Sequence, residues 1–270
     1  MKGMKKKRVG QGAGHRWDAT PAEAREIQEK LRKKWEGTDR LGEIRTVAGL
    51  DAAFVLHESQ ALEKKVSRWP RLREANQAIG CVVVYRFPGG KGAGPGMAVP
   101  LEEVERAYAV VPLRFPYIPG LLSFREIPAL LASLGKLREL PDLLFCDGQG
   151  YAHPRRLGLA AHLGVWLDRP SIGCAKSILI GEHGELGTKA GSWTALLDPG
   201  NDERIGAAVR TRDGVTPVYV SQGNRVSLET AIRLTLAVSD GFRIPRPTRE
   251  ADHFASSVKR KLLAQSPCEK

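Results

Sequence analysis

Long hydrophobic runs are missing. No stretch of the 270 residues reaches the roughly 18 apolar positions of a membrane span, so a helical membrane anchor is not expected. The basic start MKGMKKKR is not followed by an apolar h-region, which argues against secretion. CxxC pairs are absent too: Cys81, Cys146, Cys174 and Cys268 are scattered, and three of them sit in apolar runs that read as buried strands. A reduced, cytoplasmic setting follows. Internal repeats and low-complexity linkers are lacking, so one mixed-sheet domain is expected over 17–256, between a flexible basic arm (1–16) and a flexible basic tail (257–270). Acidic residues are outnumbered, 30 Asp and Glu against 42 Lys and Arg, for a formal net charge of +12. That surplus suits a polyanionic partner such as nucleic acid, or merely solvates the basic ends.

What is present is a 42% hydrophobic chain, ample for a continuous core. Thr20, Pro21 and Glu23 spell a capped helix start, with Thr20 as cap, Pro21 at the first helical position and Glu23 completing a capping box. From Ile44 the pattern becomes extended: IRTVAGLDAAFVL, AIGCVVVYRFP, a Gly-Pro-rich turn GGKGAGPG, then MAVPLEEVERAYAVVPL, an antiparallel opening of three strands. The helix SFREIPALLASLGKL, strand PDLLFCDG, helix RRLGLAAHLGVWL and strand PSIGCAKSIL then alternate, which implies parallel pairing with right-handed crossovers. IGAAVRTR and TPVYVSQG read as a further strand pair about Asp213-Gly214, and VSLETAIRLTLAVSDGF as a closing helix. The fold class expected is α/β: a mixed sheet flanked by helices.

Asp51 interrupts the apolar run VAGLDAAF, and a carboxylate in such surroundings must be paired, neutralised or metal-bound. Asp147 ends the apolar strand LLFC; it reads as an ordinary Asp-Gly turn, or as an acid placed at a strand's carboxyl end where α/β clefts form. Glu126 stands near the start of a helix, where it reads equally as a solvated first-turn acid complementing the helix dipole or as a third member of an acidic site. Brought within about 4–5 Å, such acids would repel by roughly 4 kcal/mol per pair at an effective dielectric near 20, which makes a divalent cation the natural neutraliser. Oxygen-only ligands select magnesium, with manganese as a substitute, and such an ion activates water against a phosphodiester. Lys176, in GCAKSIL, either snorkels out of the core or holds a phosphate beside the acids.

Phe115-Pro116-Tyr117-Ile118-Pro119-Gly120 is stiffened by its prolines, so Tyr117 is either a wedge that fills the gap left by an extruded base or a tyrosine packed beneath a loop. Gly120, Gly148 and Gly150 would let backbone approach such a base closely. His153, Arg155 and Arg156 are candidate phosphate contacts, though His153-Pro154 also suits a plain helix entry. Asp252 and His253 are candidates for an extra metal ligand or general base, and equally for an exposed helix face.

With these residues in view, the chain resembles the endonuclease V family of the ribonuclease H-like superfamily, from about Ala22 to Ser256. The most specific pieces are VAGLDAAF, PYIPGLLSFRE, PDLLFCDGQGYAHPRRLGLAAHLG, PSIGCAKS, VYVSQGNRVSL and RIPRPTREAD. The resemblance implies a metal site of Asp51, Glu126 and Asp147, with Asp252 at a more variable ligand position, Lys176 assisting catalysis and Tyr117 as the wedge. It implies a hypoxanthine pocket near Leu122, Gly148 and Leu179, with Pro116, Ile118, Gly120 and His153 also on the substrate side. Cleavage at the second phosphodiester 3′ to inosine in DNA, with RNA open as a substrate, is the implied activity. The chain departs from the family at Gln149 and Asn224, where many members carry histidines, which leaves hydrogen bonding around the metal and phosphate open. A monomeric, cytoplasmic repair enzyme without organic cofactor is expected. The alternatives are an RNA-preferring enzyme and a basic nucleic-acid-binding protein that has lost turnover.

Overall fold

Thr20 and Glu23 satisfy each other's backbone: the Thr20 hydroxyl accepts from the Glu23 amide at 3.3 Å, and the Glu23 carboxylate accepts from the Thr20 amide at 2.8 Å. This box, with Pro21 at its first position, starts helix α1 (Pro21–Arg32). The computed structural model describes residues 14–55, 75–88 and 98–265. The turn GGKGAGPG, residues 1–13 of the basic arm and the last five residues lie outside the described residues.

The opening strands are β1 (Thr46–Val55), β2 (Gln77–Arg86) and β3 (Glu102–Pro112), paired antiparallel in sequence order. Helix α2 (Leu122–Leu134) leads to β4 (Leu143–Cys146), and helix α3 (Leu159–Leu167) to β5 (Ser171–Ala175). Strand β4 lies parallel to β1 and β5 parallel to β4, as alternation of strand and helix requires. Beyond them come β6 (Glu182–His183), β7 (Trp193–Leu197), β8 (Arg204–Val209), β9 (Val218–Asn224), α4 (Leu228–Ala237) and α5 (Arg246–Gln265). One nine-stranded sheet results, in the order β3-β2-β1-β4-β5-β9-β8-β7-β6. The fold is the expected ribonuclease H-like one, antiparallel strands opening and parallel strands following.

The strand alternation divides the core. Ala48, Leu50, Val82 and Cys146 face α2 and α3, packing on Ile127, Leu130 and Leu163. On the opposite face Val83, Phe145 and Ile172 meet Leu228, Ile232 and Leu234 of α4, while Ile79 and Cys81 meet Ala255 and Val258 of α5. Two glycines let helices touch the sheet backbone to backbone. A Cβ on Gly49 of β1 would lie 1.8 Å from the Pro247 carbonyl oxygen of α5, and one on Gly80 of β2 would lie 2.2 Å from the Ala129 carbonyl of α2. Cys81, Cys146 and Cys174 are buried free thiols, as the apolar runs around them predict.

Three findings differ from the sequence reading. Helix α5 continues to Gln265, so the stretch expected as a flexible tail from 257 is helical over most of its length; Ala255 and Val258 bury one stripe while lysines and arginines hide the periodicity. Strands β6 and β7 extend the sheet beyond the expected pair, β7 presenting only Leu196 as a buried residue. His15, assigned to the arm, packs among Trp17, Phe124, His162 and Trp166. Among the described residues, no helix is long and apolar enough to cross a membrane.

Candidate active site

The register of two parallel strands sets the first pair of acids side by side. Leu50 of β1 is opposite Cys146 of β4, and the Asp147 amide donates to the Leu50 carbonyl at 3.1 Å, so Asp51 and Asp147 occupy adjacent positions on strands spaced by one sheet hydrogen bond. Asp51 shares the face of Gly49, which α5 crosses, and α5 carries Asp252 to the same place. Glu126 comes from the early turns of α2, whose approach to the sheet Gly80 permits. Lys176 follows the last residue of β5; its ammonium lies 2.6 Å from the Asp147 carboxylate and 2.9 Å from that of Asp252. Arg243, which sequence reasoning did not single out, donates to the Lys176 carbonyl at 2.6 Å and so fixes that strand end.

Electrostatics confirm that these groups sense one another. Burial first, then the charges of Asp147 and Asp252, push the Asp51 carboxyl up to about 7. Burial, with Asp51 and Asp147 behind it, pushes Glu126 up to about 8. Asp147 is raised by burial, with the Lys176 contact working against the rise. Burial disfavours the Lys176 ammonium, yet its hydrogen bonds to Asp147 and then Asp252 outweigh that, and its pKa rises. Among the described residues no three Asp, Glu, His or Cys side chains are already gathered as a coordination shell, and Lys176 is the cation lying between Asp147 and Asp252. By donor type the acids fit a hard divalent ion: every ligating atom is oxygen, and their like charges resist full ionisation without a counter-charge.

A cleft of about 340 Å³ opens over this cluster. Glu126, Asp147 and Lys176 line it together with Tyr117, Gly120, Leu122, Gly148, His153 and Leu179 from the substrate-side set. Leu179, at 42% exposure, stands at its rim. Pro116 and Ile118 do not line it: Pro116 is exposed, and Ile118 packs into the small apolar cluster of Ala19, Ala24, Phe115 and Phe124. Ile118 is therefore turned away because an apolar pocket beside α1 takes it.

The basic candidates divide. Arg156 pairs with Asp198 and Glu203, bracing the loop before α3 against the strands beyond β5. His153 is buried; its Nε2–H donates to the Gly120 carbonyl at 3.0 Å and its Nδ1 accepts from the Arg155 amide at 3.1 Å, which spends both ring nitrogens. His253 is exposed, 3.8 Å from Glu250. The two departures act within the protein. Gln149 donates to the Ser177 carbonyl at 2.9 Å, tying the Asp147 loop to the Lys176 loop, and the buried Asn224 accepts from the Glu36 amide at 3.1 Å.

Comparison with known proteins gives the family of the chain. The Endonuclease V family model matches residues 26–253. An endonuclease V of Roseiflexus castenholzii is 47% identical over 244 residues, covering 90% of this chain and 96% of that protein. The crystal structure of endonuclease V from Streptomyces avermitilis superposes with a TM-score of 0.75 at 36% identity, covering 92% of this chain and 96% of the other. Endonuclease V of Ciona intestinalis, in complex with a 24mer DNA containing an inosine followed by a ribo-adenosine, gives a TM-score of 0.67 at 25% identity, covering 89% and 98%. The chain, with its acids on β1, α2 and the end of β4, belongs to the endonuclease V family.

Proposed function

We propose that the protein is a divalent-metal-dependent endonuclease that recognises inosine in DNA and hydrolyses the second phosphodiester bond on its 3′ side, leaving 3′-hydroxyl and 5′-phosphate ends. The observation that carries this reading is that one cleft joins Glu126, Asp147 and Lys176 to the proline-stiffened Tyr117 loop. The Ciona relative's complex with inosine-containing DNA supports the choice of base. Asp51, Glu126 and Asp147 would hold magnesium, or manganese in its place, with Asp252 as a further ligand. When bound, the ion supplies an activated water and neutralises charge developing on the phosphate. Lys176 then contacts a phosphate oxygen and orients the attacking water. Tyr117 fills the stack from which the base is withdrawn, and the backbone at Gly120 and Gly148, with Leu122 and Leu179, walls the base. We assign the enzyme to DNA repair, acting as a cytoplasmic monomer.

The test compares duplex DNA, single-stranded DNA and RNA, each with and without one inosine, in magnesium and in chelator. Magnesium-dependent cleavage at the second 3′ bond of inosine-containing DNA is expected. Equal cutting of inosine-free strands would overturn the base assignment; tight binding without product would leave a noncatalytic binder; preferential cutting of RNA would move the substrate class.

A further inference from the structure

We propose that Gln28 is a positioning residue for the base-inspecting loop: with His153 and Arg155 it fixes the Gly120 carbonyl, and through it the direction in which Tyr117 enters the cleft. The inference rests on the role given to Tyr117 above, and its own support is geometric. Three side-chain donors converge on the Gly120 oxygen: Gln28 Nε2 at 3.2 Å, His153 Nε2 at 3.0 Å and Arg155 Nη2 at 2.6 Å. A carbonyl has two lone pairs, so this one is held more firmly than burial alone requires.

Gln28 links the three. It is fully buried on α1, accepts from Arg155 Nε at 2.6 Å, and gives its amide also to the Leu157 carbonyl at 3.2 Å. Among the described residues it is α1's contribution to the cleft lining. Gly120 has no side chain to spare: its φ is +78°, and a Cβ there would meet Arg155 Nη2 at 3.1 Å. The far end of the loop is anchored too, since Arg125 Nη1 donates to the Phe115 carbonyl at 2.8 Å. Between these anchored carbonyls, the Leu121 amide closes a turn onto Ile118 at 3.0 Å and Ile118 is seated in its apolar pocket. Tyr117 is left as the large side chain of the loop that faces the cleft. His153, with both nitrogens committed, serves this clamp and offers phosphate no donor.

The experiment combines Gln28→Met, which keeps the volume and removes both hydrogen-bonding functions, with Tyr117→Ala, singly and together. Amide hydrogen exchange at Leu121 is expected to quicken at least about tenfold in Gln28→Met, a local opening read without any activity. The preference for inosine-containing over matched adenine-containing duplex should fall about tenfold, chiefly through KM and with kcat reduced less than about threefold. In the Tyr117→Ala background, Gln28→Met should cause no further loss of preference. Unchanged exchange, or an equal loss in both backgrounds, overturns the clamp. If Gln28→Met does not fold, Gln28→Glu, which keeps the Arg155 contact and loses the donors to Gly120 and Leu157, carries the same expectations. Should the unmodified protein show no preference for inosine, the functional reading fails while the exchange measurement still decides the clamp.

Discussion

Two carboxyls held at about 7 and about 8 mark where the chain stores destabilising energy. Asp51 is raised by burial first and by Asp147 and Asp252 second, Glu126 by burial first and by Asp51 and Asp147 second, a cost that does not serve folding of the metal-free chain. Asp51→Asn should therefore stabilise the metal-free protein by about 1 kcal/mol while lowering cleavage at least about a thousandfold. Thermal melts with and without magnesium check both halves: the ion should raise the melting temperature of the unmodified chain and do little for the variant. A variant that is less stable without metal, or that cuts at near-normal rate, would remove Asp51 from the ligand set. Asp51 was legible in the sequence because a lone carboxylate inside VAGLDAAF must be paired, neutralised or metal-bound, whereas Asp147 also reads as an Asp-Gly turn and Glu126 as a first-turn acid, so only their combination singles them out. Gln28 and Arg243 were not legible: their partners are backbone carbonyls, which any sequence supplies, some 92 and 67 positions away.

At the scale of elements, β2, β4 and β5 were legible as short continuous apolar runs because both faces of these strands are buried, and the helices between them by their apolar spacing. The end of helix α5, from 257 to 265, escaped because the helix's buried stripe, Ala251, Ala255 and Val258, is sparse among charged residues, and the part that carries Asp252 read only as one of two choices, an exposed helix face. Its seat on β1 depends on Gly49, where a Cβ would lie 1.8 Å from the Pro247 oxygen. Gly49→Val should cost at least about 3 kcal/mol in urea denaturation, because backbone rather than a flexible side chain must yield. If instead Gly49→Val folds with ordinary stability and full activity, the close packing of α5 on β1 is not what holds Asp252 at the site.

For the molecule as a whole, buried histidines set an acid limit. Ser123 donates to His162 Nδ1 at 3.0 Å and His162 Nε2 contacts His15 Nε2 at 2.9 Å, a chain that works with neutral rings. Burial, then the charge of Arg155, holds His153 down to about 4, and burial, then His15, holds His162 well below 6.5. Both bind fewer protons folded than unfolded, so their stabilisation is whole above about pH 6.5 and is lost as pH falls toward 4. Asp51 and Glu126, raised in the folded state, act with opposite sign in the metal-free protein. The histidine contribution is therefore read as a difference: the stability advantage of the unmodified chain over His162→Asn should shrink between pH 7 and pH 5. A gap that stays constant would mean that His162 titrates normally when folded. The excess of 42 Lys and Arg over 30 Asp and Glu belongs to this scale as well. DNA affinity should fall steeply with salt, by about 0.9 logarithmic units per decade of salt for each phosphate neutralised. A flat salt response would assign the surplus to solubility.

Gly49 carries a single hydrogen where almost any other residue would carry a carbon, and that carbon has no room beside Pro247. The distance between the acid of a strand and the acid of the last helix is thus governed by an atom that is not there. Relatives that alter this position are expected to have shifted the whole final helix with it, and to hold the acid it carries at a different reach.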